Sequence, residues 1–102
     1  MKKMKPIIAR NARELARILG LSEADAAEME VRAQLNDKII RAVKESGLTH
    51  AQVAKLAETS RSRLTALLNR DTSQVSTDLM LRILSSLGYR AKMVFTKVRR
   101  AA

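Results

Sequence analysis

Apolar residues recur at helical spacing in five stretches of this chain and change to a period of two only near its end. The first stretch is Ala12, Leu15, Ala16 and Leu19. Asn11 and Glu14 stand before it at capping-box spacing, and Gly20 is a suitable stop. This predicts a short amphipathic helix that must pack on something to persist. The second stretch is longer: Ala24, Ala27, Val31, Leu35, Ile39, Ala42 and Val43 form one stripe. Ser22 precedes it as N-cap, Glu23 and Asp25 favour its positive end, Lys44 lies in its last turn, and Gly47 stops it. One helix of about 24 residues, or two pieces, is expected. Asn36-Asp37 is the point of weakest propensity.

The third and fourth stretches, within residues 49–68, form the centre of the chain. Thr49 and Gln52 make a capping box, and Val53, Ala54, Leu56 and Ala57 give the helix they open an apolar side. Ser60 caps the next helix, whose Leu64, Leu67 and Leu68 share a face. Arg61, Ser62, Thr65 and Asn69 stand opposite, with Arg63 at the edge. A helix apolar on one side and basic and hydrogen-bonding on the other suits the major groove of DNA. A polar loop, 69–74, leads to the fifth stretch. There Val75-Ser76 reads as staple and N-cap, and Leu79, Met80, Ile83, Leu84 and Leu87 form two adjoining core rows before Gly88.

After Gly88 the period changes. Tyr89, Ala91, Met93 and Phe95 alternate with Arg90, Lys92, Val94 and Thr96, which predicts a strand. No second strand is visible in the sequence, and an unpaired strand leaves its backbone groups without partners. The alternatives are a frayed tail or pairing with the same strand of a second copy, which is naturally two-fold and antiparallel. In the second case Tyr89, Ala91, Met93, Val94 and Phe95 are the dimerisation residues.

Charge sharpens this picture. The 102 residues carry a net charge of +10, unevenly placed. Residues 22–31 hold four acids and no base, while residues 79–102 hold six bases and no acid. Segregated charge fits a two-sided molecule with a polyanionic partner better than a uniformly solubilised surface. One Tyr, one Phe and no Trp count against a binder that stacks single-stranded bases on aromatic platforms. Cysteine is absent, which removes disulfides, thiolate metal sites and cysteine nucleophiles and suggests a reducing, cytoplasmic setting. No apolar run approaches a membrane span, and the basic start lacks the apolar segment of a signal peptide. The sequence offers no catalytic constellation. One His makes a metal cluster improbable, the three glycines are isolated at helix ends, and Glu23, Asp25, Glu28 and Glu30 read as a solvated acidic face. Neither enzyme activity nor a cofactor is expected.

Residues 47–88 resemble the helix-turn-helix of the Cro/C1-type phage-repressor (XRE) family. The resemblance rests on Leu48-Thr49 opening the first helix, Ala54 where the pair touches, Ser60-Arg61-Ser62 opening the second, and Ser76, Asp78, Leu87 and Gly88 framing the helix after the loop. Residues 11–98 resemble a small-regulator branch that includes HigA-like antitoxins, with a helical segment before the motif and a basic strand after it. His50 stands where the family usually has a phosphate-binding Gln, and can still donate a hydrogen bond. Glu58 stands where a turn Gly is usual, and Ala66 fills a position that often reads a base.

The resemblance implies a mainly α, five-helix, lambda-repressor-like domain with a C-terminal β-strand for dimerisation. Residues 1–21 would be a basic arm and short helix, 22–88 the helical domain, and 89–102 the strand and basic tail. The expected partner is double-stranded DNA, bound by a homodimer at a pseudo-palindromic operator. Arg61, Ser62 and Ala66 would lie near base edges beside Thr65, although Arg61 is also suited to clamp a phosphate. His50, Arg63, Asn69 and Arg70, with backbone amides beside the caps Thr49 and Ser60, would meet the phosphates. Asn69 is equally suited to end its helix. A second expectation is an antitoxin whose acidic N-terminal half binds a basic toxin.

Overall fold

The computed structural model describes residues 17–20 and 22–97. Within these residues there are four complete helices: α1 (Glu23–Ser46), α2 (His50–Leu56), α3 (Arg61–Leu68) and α4 (Thr77–Ser86). Residues 17 and 18 are helical, and Gly20, at φ 73, donates its N–H to the Arg17 carbonyl. The basic arm and most of the helix expected from Asn11 lie outside the described residues.

Every complete helix begins on the hydroxyl its sequence offers. Ser22, Thr49, Ser60 and Ser76 accept from the backbone N–H groups of Asp25, Gln52, Arg63 and Leu79. At Thr49 the box is closed in both directions, since its own N–H reaches Gln52 Oε1 at 2.9 Å. The far ends of α2, α3 and α4 share one geometry. Glu58, Arg70 and Gly88 each take a left-handed φ, and the next residue donates back to the carbonyl five positions earlier. This is the Schellman motif, which satisfies carbonyls the helix leaves open.

The core is aliphatic. Ile39, Val53, Ala57, Leu64, Leu67, Met80 and Ile83 are completely buried, and Val75 and Leu79 close the group. α1 packs on α4 and α3, and α2 packs on α3 and α4. Small Ala54 and Ala57 let α2 approach its neighbours. Complete burial of a Leu contributes about 1.5–3 kcal/mol, so Leu64 and Leu67 are substantial anchors for α3.

Of the two alternatives for α1 the single helix is the one found, and one expectation, the burial of its whole stripe, needs correction. α1 is unbroken through Asn36-Asp37, about 36 Å long at 1.5 Å per residue. Its apolar stripe is not buried throughout. Ile39, Ala42 and Val43 are in the core, Leu35 is half-buried, and Val31, Ala27 and Ala24 are exposed. Residues four apart turn by about 40° per step at 3.6 residues per turn. The row Ile39, Leu35, Val31, Ala27 therefore winds out of the core. Buried Asn36 and half-buried Arg32 stand on the inward side in its place.

Beyond Gly88 the chain runs along α1 and α4. Tyr89 is its anchor: the ring packs on the core beneath Lys38 Nζ at 4.5 Å, and the hydroxyl donates to Glu45 Oε2 at 3.2 Å. Residues 89–94 line an apolar groove with Val31, Leu35, Leu81 and Leu84. No β-strand forms among the described residues. The strand expected at 89–98 requires a second backbone, and a single chain supplies none.

Candidate nucleic-acid interface

α3 divides cleanly into two sides. Leu64 and Leu67 have no accessible surface, while Arg61, Ser62, Arg63, Thr65 and Asn69 are exposed. Arg61, Ser62, Thr65, Ala66 and Asn69 line one shallow concave surface. These five residues, spaced one, three, one and three apart, lie along one helical face.

Of the other expected contacts, Thr49, His50, Ser60, Arg63 and Arg70 are not among the residues that line this surface. Thr49 and Ser60 are N-caps, so their oxygens accept backbone N–H groups while their hydroxyl hydrogens stay available. His50 is exposed in the first turn of α2, and Arg63 is exposed on α3. Asn69 has both roles expected of it: it lines the surface and is the C-cap of α3, its N–H pointing back to Thr65 and Ala66. Arg70 is turned toward α1, its Nη1 2.8 Å from Asp37 Oδ1. That hydrogen bond and the Arg70 charge hold the Asp37 carboxyl below its ordinary value of 3.8.

Several residues that position this surface carried no clear signal in the sequence. Buried Asn36 donates from Nδ2 to the Leu67 carbonyl at 2.9 Å, tying α1 to the end of α3. Arg32 reaches from α1 to Thr77 Oγ1 at 2.9 Å and to the carbonyls of Thr72 and Val75, so it pins the loop after α3 to the start of α4. Asp71, in that loop, accepts from the Ser73 hydroxyl at 2.6 Å and from its N–H, which lowers its pKa. A polar residue on a core row, as Asn36 is, was the one available clue. Its partner lies 31 residues away and could not be named from local pattern.

No group of His, Cys, Asp and Glu among the described residues could hold a metal ion. No helix among them is long and apolar enough to cross a membrane.

No curated protein and no solved structure matches the chain. A family model described as a helix-turn-helix domain matches residues 14–96, well over half of the sequence. The match takes in the α2–α3 pair, the α1 scaffold behind it and most of the described tail. With two short helices joined by a tight turn, and the second exposing a basic, hydrogen-bonding face, the chain belongs to the helix-turn-helix domain family.

Proposed function

We propose that this protein is a sequence-specific DNA-binding transcriptional regulator of the Cro/C1 (XRE) kind, close to the HigA-like branch, that represses by occupying its operator. The observation that carries this reading is the division of α3: two leucines completely buried, five neighbouring residues on one open concave face. The face offers Arg61 to guanine or phosphate, hydroxyls and an amide at Ser62, Thr65 and Asn69, and at Ala66 a methyl suited to thymine. His50 and Arg63 supply donors around it, Arg70 being drawn toward Asp37 on α1, and the net charge of +10 favours phosphate. Two copies joined through Tyr89, Ala91, Met93, Val94 and Phe95 would present two such faces to half-sites about 34 Å apart.

Selection of bound sequences from a random duplex pool tests this reading. A preferred, two-fold related sequence is expected, and Arg61→Ala should cost about 1–3 kcal/mol and erase the preference at one base position. Uniform weakening would instead place Arg61 on phosphate. A slope of log K against log salt shallower than about −2 would sink the reading, because too few phosphates would be neutralised.

A second, compatible reading is an antitoxin that also represses its own operon. Exposed Ala24, Ala27 and Val31 favour it, because they lie off the core among exposed Asp25 and Glu28. Such a surface fits a basic protein. Purification under native conditions should then yield a small basic protein bound to this chain, and recovery of the chain by itself counts against the reading.

A further inference from the structure

The Asp37–Arg70 pair lies at the edge of the reading surface. Arg70 leaves α3 directly after Asn69, which lines that surface, and its side chain is 67% exposed. One N–H is given to Asp37 Oδ1 at 2.8 Å. The pair is not what holds α3 to α1. Asn36, the residue before Asp37, makes that connection from the buried side through the Leu67 carbonyl, and Leu64 and Leu67 fill the core. An exposed pair of this kind adds little to stability. Yet it places a carboxylate where a DNA-binding chain would be expected to keep its cation free.

The charge balance gives a reason. At +10 on 102 residues, attraction to any phosphate backbone is strong. For a regulator the useful quantity is the ratio of operator to random-sequence affinity, and contacts that carry no sequence information erode it. We propose that Asp37 is a brake on phosphate binding: it holds the Arg70 guanidinium against α1 and so subtracts one sequence-independent contact from the DNA interface. Asp37 is thus a positioning residue acting through Arg70. This rests on the DNA-binding reading above. The carboxylate stays ionised below its ordinary range because Arg70 bonds it, with a smaller contribution from the Arg41 charge one turn along α1. The brake therefore remains set at neutral pH.

A double-mutant cycle tests the proposal on the full chain with a mixed-sequence duplex of about two helical turns. Asp37→Ala puts the best helix former on a half-exposed position, and helical circular dichroism checks that each variant folds. Affinity is measured across a salt series. Asp37→Ala is expected to tighten binding several-fold and steepen the salt slope by about one, the value of one added phosphate contact. In an Arg70→Ala background the same substitution should change neither. A gain that persists without Arg70 would overturn the proposal, since it would reflect net charge or Arg41. An unchanged slope in Asp37→Ala, with the parent chain binding DNA, would overturn it as well and leave the DNA-binding reading intact. A parent chain that binds no duplex at any salt would overturn that reading, and the brake with it.

Discussion

Glu58 occupies the turn between the two helices of the motif at φ 55, a left-handed backbone that costs a residue with a Cβ about 1–2 kcal/mol. The same place in the Schellman ending of α4 is held by Gly88. Glu58→Gly should therefore raise stability by about 0.5–1 kcal/mol, the relief of strain exceeding glycine's extra unfolded-state entropy. In a domain of this size that is an increase of roughly 4 °C in the midpoint of thermal unfolding. A midpoint that stays put or falls would mean that the Glu58 side chain offsets its own strain. Residue-scale features of this kind were legible where they are local. The caps at Ser22, Thr49, Ser60 and Ser76 each act three residues ahead, within reach of a sequence pattern. Asn36 and Arg32 were not legible, because their partners lie 31 and 40 to 45 residues away.

For the elements, amphipathic spacing placed α2, α3 and α4 to within a residue, because each is short and keeps one face on the core. α1 was harder for a physical reason. A helix of 24 residues outruns the core it packs on, so its apolar row continues after its burial ends. At Asn36-Asp37, the weakest point by propensity, α1 continues unbroken. These two poor helix formers do not weaken α1 locally for nothing: one bonds the carbonyl near the end of α3, and the other pairs with the arginine that follows it. Side chains that reach away from their own backbone are what a propensity scale counts as a weakness. The tail was legible as a period of two but not as a structure. Strand pairing belongs to two backbones, and the alternation describes only one of them.

The whole molecule is two-sided. The exposed face of α3 is polar and cationic, and the tail exposes Met93, Val94 and Phe95 in sequence at 71%, 86% and 86%. Consecutive exposed apolar residues beside an apolar groove are what a second copy would cover. Sedimentation equilibrium should give twice the 11.4 kDa chain mass, and Phe95→Asp should return the mass to a single chain while leaving helical content unchanged. A parent chain that stays monomeric at high concentration would remove the dimer from the proposed function. The division of α3 has one more consequence. Arg61, Ser62 and Thr65 point away from everything that holds the domain together, while Leu64 and Leu67 carry the packing. A lineage can therefore exchange these outer residues and acquire a new target without renegotiating its fold. Libraries randomised at these three positions should yield folded proteins at nearly every draw.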